Sequence, residues 1–160
     1  MSLLNLAPQT PDQNLINSLQ KAGLLESPVD AKFTVLTGGV ASEIWKVETD
    51  KKTYCVKRAL PKLKVEADWF APIERNRFEV AWCKIVGDIM PGSAPKIYYH
   101  DEEKMLCCME FLDPADHALW KAELRDGRGD PIHAENTGRI LGRIHSISSS
   151  DKAIQAQFPR

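Results

Sequence analysis

No stretch of this chain approaches the roughly 18 uncharged apolar residues that a membrane-crossing helix needs. The opening Met1-Ser2-Leu3-Leu4-Asn5-Leu6 has neither the basic start nor the apolar run of an export signal. These absences predict a soluble, cytoplasmic protein with no membrane partner. Charge of one sign is lacking too: 21 basic side chains stand against 22 acidic ones, so no whole-molecule field draws the chain to nucleic acid or anionic lipid. Lys51, Lys52, Lys57, Arg58, Lys62 and Lys64 do cluster, but they flank a strand that other chemistry explains, and no nucleic-acid partner is expected. Cysteine is sparse. Cys55, Cys83, Cys107 and Cys108 form no Cys-x-x-Cys pair and have no histidine at zinc-finger spacing, which favours reduced, buried thiols. His100, His117, His133 and His145 never place two ligands on one helical face. No internal repeat or low-complexity segment is present.

With 43% apolar residues among 160, one folded unit can bury roughly 70% of its unfolded surface. Thr10-Pro11-Asp12-Gln13 supplies a cap, a proline for the first helical position and a Gln three residues after the cap. A helix is expected from there to Gly23, with Leu15, Ile16 and Leu19 on one stripe. Residues 33–36, 44–49 and 53–59 are rich in β-branched and aromatic side chains and are separated by Gly38-Gly39 and Asp50-Lys51. They read as three antiparallel strands. Phe78, Ala81, Trp82, Ile85, Val86 and Ile89 then recur at helical spacing.

Pro91-Gly92-Ser93-Ala94-Pro95 ends that helix. Residues 96–100 and 105–112 read as two more strands around an acidic turn, Asp101-Glu102-Glu103. Cys107 and Cys108, adjacent in the second of these, should face opposite ways. Beyond Pro114 come a short helix near residues 119–124, a glycine-broken loop, and a helix with Thr137, Ile140, Leu141 and Ile144 on one face. From Ser146 the tail is polar and expected to be poorly ordered. The predicted class is α+β: a five-stranded antiparallel sheet plus one helix at 31–112, a helical extension at 1–30, and the start of an incomplete helical lobe at 113–160.

Gly38 and Gly39, followed by a strand and then Cys55-Val56-Lys57-Arg58, suggest a hairpin covering a phosphate and a lysine to pair with it. Glycines let backbone amides approach an anion, and an ammonium on the next strand supplies charge. Taken singly, paired glycines are ordinary hairpin punctuation and strand lysines are mostly solvated. Ser42 adds a hydroxyl where the loop returns, able to meet a phosphate or to bond the backbone. Glu79 is the chosen carboxylate for the lysine's stem, in preference to Glu74, whose first-turn position suits the helix dipole. A surface ion pair of Glu79 with Lys84 or Arg75 is the plain alternative. Met109-Glu110-Phe111-Leu112 precedes Asp113-Pro114, where extended chain gives way to a turn. Such a crossing either offers backbone groups to an adenine edge or is a buried strand end.

In this order, these segments resemble the aminoglycoside phosphotransferase and choline kinase-like family, small-molecule relatives of the protein kinases, over about residues 33–147. Leu36-Thr37-Gly38-Gly39-Val40-Ala41-Ser42-Glu43-Ile44-Trp45 is similar to the family's nucleotide loop, and Val56-Lys57-Arg58-Ala59-Leu60 to its lysine strand. Arg75-Asn76-Arg77-Phe78-Glu79 resembles the helix bearing the lysine's partner. Cys108-Met109-Glu110-Phe111-Leu112 resembles the hinge, which implies that the Glu110 carbonyl and the Leu112 amide face adenine. Gly138-Arg139-Ile140-Leu141-Gly142-Arg143-Ile144-His145 is like the helix opening the second lobe.

The resemblance implies nucleotide binding, with ATP and Mg2+ in the complete fold and a small hydroxyl-bearing acceptor as the other partner. No His-Arg-Asp or His-Gly-Asp occurs in the sequence, so no catalytic residue and no metal ligand is assigned. The expectation is a phosphotransferase nucleotide lobe truncated before the catalytic loop and inactive alone. The alternative is a non-catalytic kinase-like interaction module, whose partner covers Ile140, Leu141 and Ile144.

Overall fold

The computed structural model describes residues 10–158; the opening residues read above for an export signal lie outside the described residues. The chain divides into two compact units, one of Met1–Arg77 with Ile97–Phe111 and one of Phe78–Lys96 with Leu112–Arg160.

The first unit is built on an antiparallel sheet of β1 (Lys32–Val35), β2 (Ser42–Glu48), β3 (Thr53–Ala59), β4 (Ile97–Asp101) and β5 (Leu106–Glu110). Its order is β1-β2-β3-β5-β4, the five-stranded architecture expected from the sequence. β3 is interior, bonded to β2 on one side and β5 on the other. Alternation across these registers sends Trp45, Val47, Tyr54, Val56, Leu106 and Cys108 to one face and Ser42, Ile44, Lys46, Cys55, Lys57, Cys107 and Met109 to the other. Cys107 and Cys108 therefore do point apart.

On the first face those residues join Leu15, Leu19 and Leu25 in a single buried cluster. Leu15 and Leu19 come from α1 (Gln13–Lys21). Each such leucine contributes roughly 1.5–3 kcal/mol of hydrophobic stabilisation. The helix begins later than the sequence suggests. Asp12, not Thr10, is its cap, accepting from the Leu15 amide at 2.9 Å. Asp12 also receives Arg58 Nη1 of β3 at 2.6 Å, a tertiary bond that favours it over Thr10.

Asp101 corrects another expectation. It closes β4 instead of opening the acidic turn and is 5% exposed. Its carboxylate accepts from Ser18 Oγ at 2.7 Å and from the Lys104 amide at 3.1 Å, tying α1 to the β4–β5 hairpin.

In the second unit, α2 runs over Arg75–Ile89, its first turn lying in the first unit. Val80, Cys83 and Val86 are its buried residues here, whereas Phe78 and Trp82 remain 40% and 44% exposed. The buried stripe is thus rotated from the one that periodicity picks out. Phe78 instead meets Phe158 with ring centroids 6.1 Å apart. α3 (Trp120–Arg125) precedes α4 (Pro131–Ser148), which is capped by Asp130 and opened by Pro131. Of the apolar face expected on α4, Ile144 is buried and Leu141 is exposed. The tail is not irregular: α5 (Lys152–Gln155) starts at Asp151, whose carboxylate accepts from the Ala153 and Ile154 amides at 2.8 and 3.1 Å.

Candidate functional site

β1 and β2 are joined by the glycine loop, closed by the Leu36 amide on the Ile44 carbonyl at 2.9 Å. Gly38 has φ +105, a conformation other residues adopt only with strain. At Gly39 a Cβ would stand 2.9 Å from Ile44 Cδ1, so that side-chain end would have to shift to admit one. The returning arm is held by its carbonyls. Val40 O accepts from the Lys64 amide at 2.8 Å and Ala41 O from the Leu60 amide at 3.1 Å. Ala41 O also receives the Arg75 guanidinium, and Ser42 O lies 3.4 Å from Lys64 Nζ. Among the described residues, the amides of Thr37, Gly38, Gly39, Val40 and Ala41 donate to no backbone carbonyl. A loop with its carbonyls tied down and its amides uncommitted is suited to an anion.

Ile44, against which Gly39 packs, lies directly opposite Lys57 on β3. Lys57 in turn lies opposite Cys107 on β5, and Cys107 opposite His100 on β4. One row across the sheet therefore reads Ile44, Lys57, Cys107, His100. The first turn of α2 adds Asn76, which is 2% exposed. Asn76 Nδ2 donates to Cys107 Sγ at 3.6 Å, and Asn76 Oδ1 lies 2.9 Å from His100 Nε2, so in this arrangement Nε2 carries the proton. On the same face, Lys46 Nζ sits 5.0 Å from the Phe111 ring centroid and 2.9 Å from Glu48 Oε1.

Gly38, Gly39, Ser42 and Lys57 thus gather at one end of β2 and β3. Ser42 opens β2 opposite Ala59, with a side chain that is almost fully buried. Glu110 also belongs to the first unit but ends β5 opposite Tyr54, away from the Lys57 row. Glu79 and Leu112 belong to the second unit, Glu79 half-buried on α2 and Leu112 exposed after β5.

Behind the lysine strand, Arg58 pairs with Asp12 and Glu43. Burial works against the Arg58 charge, but the hydrogen bonds it donates to Asp12 and Glu43 raise its pKa above the ordinary value. Burial likewise opposes ionisation of Asp12, and it is outweighed by the Leu15 amide and by Arg58, which hold its carboxyl below the usual range. Cys108, in the core, is pushed up to about 12, by burial first and then by Cys107 and Cys55. It is a packing residue without thiolate character near neutrality.

The role of Arg75 is not marked in the sequence. Its guanidinium donates to four carbonyls: Ala71 at 3.2 Å, Pro72 at 2.6 Å, Leu60 at 2.8 Å, and Ala41. Lys64 and Asn76 were missed as well, because nothing local in the sequence marks which carbonyl or thiol a side chain will reach. Among the described residues, no group of three or more His, Cys, Asp or Glu is arranged to hold a metal ion. Nor is any helix there long and apolar enough to cross a membrane.

No protein-family model matches the chain. It is 30% identical over 153 residues to a methylthioribose kinase of Escherichia coli O45:K1 (strain S88 / ExPEC), covering 90% of this chain and 35% of that protein. A methylthioribose kinase of Bacillus mycoides (strain KBAB4) is 26% identical over 146 residues, 91% of this chain and 36% of the relative. Another, of Bacillus cereus (strain B4264), is 28% identical over 139 residues, 86% of this chain and 35% of the relative. The chain spans about 35% of the length of these curated relatives, and over that span it is similar to part of a small-molecule kinase.

Proposed function

We propose that this chain is the nucleotide-binding lobe of a small-molecule kinase of the aminoglycoside phosphotransferase and choline kinase-like family, holding the phosphates of ATP between its glycine loop and Lys57. One observation carries the reading: Gly39 packs on Ile44, and Ile44 is paired with Lys57, so uncommitted amides and an ammonium flank the same spot. Backbone amides and a lysine there supply the positioning and charge neutralisation on which phosphoryl transfer depends.

In this proposal the amides of 37–41 and the Ser42 hydroxyl meet phosphate oxygens, and Lys57 pairs with them. Glu79 takes the role of the lysine's carboxylate. The Glu110 carbonyl and the Leu112 amide read the adenine edge. The relatives' names point to methylthioribose as the acceptor class, a thiosugar whose hydroxyl oxygen would form the new bond to the γ-phosphorus as the bond to the departing ADP breaks. Mg2+ accompanies ATP in such chemistry, and no residue of this chain is assigned as its ligand. The 160 residues contain no His-Arg-Asp or His-Gly-Asp, so nucleotide binding without turnover is the property proposed for the chain by itself.

The test is calorimetric titration of MgATP into the chain and into Lys57→Ala. Saturable binding weakened by roughly tenfold or more in the variant is expected, since a charge-assisted contact contributes about 1.5–3 kcal/mol. Equal affinities, no binding by a folded sample, or turnover that survives Lys57→Ala would each overturn the reading.

A further inference from the structure

The underside of the glycine loop carries two cations that the nucleotide reading does not use. Arg75 gathers carbonyls from three separate segments: Ala41 on the returning arm of the loop, Leu60 just past β3, and Ala71 with Pro72 ahead of α2. Lys64 adds Nζ at 3.4 Å from Ser42 O and its own amide on Val40 O. Among the described residues of the first unit, neither cation has a carboxylate partner within ion-pair distance. A guanidinium satisfied by neutral carbonyls keeps its full positive charge, and its planar fork fixes several acceptors at once.

We infer that Arg75 is a positioning residue for a polyphosphate ligand. It clamps the returning arm of the loop by its carbonyls, which leaves the loop amides preformed for the anion, and its unneutralised charge adds to the attraction. A preformed loop saves the ordering cost that a mobile one would meet on binding. The phosphate part of this inference rests on the nucleotide reading above, whereas the clamp stands without it.

Two clamped amides, those of Leu60 and Lys64, report the device directly because they donate to Ala41 O and Val40 O. Native-state hydrogen exchange without nucleotide should show them opening about tenfold or more faster in Arg75→Met, with the amides of β3 and β5 unchanged. Arg75→Lys, able to hold fewer carbonyls, should fall between the variant and the parent, and it decides the matter if Arg75→Met fails to fold. Titration of MgATP beside adenosine then separates phosphate positioning from general damage: Arg75→Met should weaken MgATP roughly tenfold and leave adenosine unaltered. Unchanged exchange at Leu60 and Lys64 overturns the clamp, and equal losses for MgATP and adenosine overturn the phosphate role. If the parent chain binds no MgATP, the nucleotide reading and the phosphate role fall together, and the exchange data still decide the clamp.

Discussion

Replacing Ser18 by alanine tests how α1 is fastened to the sheet. Ser18 is fully buried, and its hydroxyl lies 2.7 Å from Asp101 Oδ2 and 3.0 Å from the Asn14 carbonyl. The hydroxyl has one proton to give. The shorter, charge-assisted bond to the carboxylate takes it, while Lys104 Nζ donates to Ser18 Oγ at 3.2 Å. Losing a buried donor to a charged acceptor costs about 2 kcal/mol, which for a chain of this size lowers Tm by roughly 4–8 °C. Asp101→Asn should cost a similar amount, because Ser18 reaches Oδ2 and the Lys104 amide reaches Oδ1, and a single amide oxygen keeps only one of the two bonds. The two variants differ in pH response. Burial opposes the Asp101 charge, but the Ser18 bond, the Lys104 amide and the ammonium groups of Lys104 and Lys21 hold its pKa below the ordinary value. A depressed carboxylate stabilises the fold fully above its unfolded pKa of about 3.9, and that contribution disappears as pH falls through the lower folded value. Urea unfolding from neutral pH into that acid range should therefore show parent and Asp101→Asn converging. A Ser18→Ala loss below about 0.5 kcal/mol, the scatter of ordinary surface changes, would refute this account of the joint.

Two further perturbations probe the loop and the thiols. Gly39→Ala should destabilise by about 1 kcal/mol through crowding of Ile44 Cδ1, which lies 2.9 Å from the new Cβ. Adding Ile44→Val removes that methyl, so the double variant should be more stable than additivity allows; additive losses in urea titration would count against the contact. All four cysteines are thiols outside any disulfide among the described residues, with Cys83, Cys107 and Cys108 buried and Cys55 half-buried. A thiol reagent near neutral pH should modify Cys55 alone in the native protein and all four in denaturant, and rapid native labelling of Cys108, pushed up to about 12, would contradict its placement.

Local chemistry wrote the strands, the α2 helix, the glycine turn and the opposed cysteines into the sequence. Val, Ile, Thr and aromatic runs set off by glycine and charge prefer extended chain wherever they fall. The strand that carries Lys57 was legible as well, because its β-branched and aromatic run sets it as β3, opposite Ile44 of β2. Local pattern misplaced what depends on distant partners. Asp12 won the α1 cap from Thr10 because Arg58 reaches it across 46 residues. Asp101 reads as the first residue of an acidic turn until Ser18, 83 residues away, is brought against it. Arg75 reads as a surface arginine until Ala41 and Leu60, 34 and 15 residues back, present their carbonyls. Of the stripe read from spacing, Val86 is buried, whereas Phe78 and Trp82 are exposed and Val80 and Cys83 are buried in addition, since periodicity marks an apolar face and packing sets which of its edges is covered. The sequence alone determined which segments are strands and helices and which glycines turn one strand into the next. Tertiary structure decided which charges are buried, which caps are used and what holds the loop, because hydrogen-bond and ion-pair partners are selected by proximity in space, which local propensity does not encode.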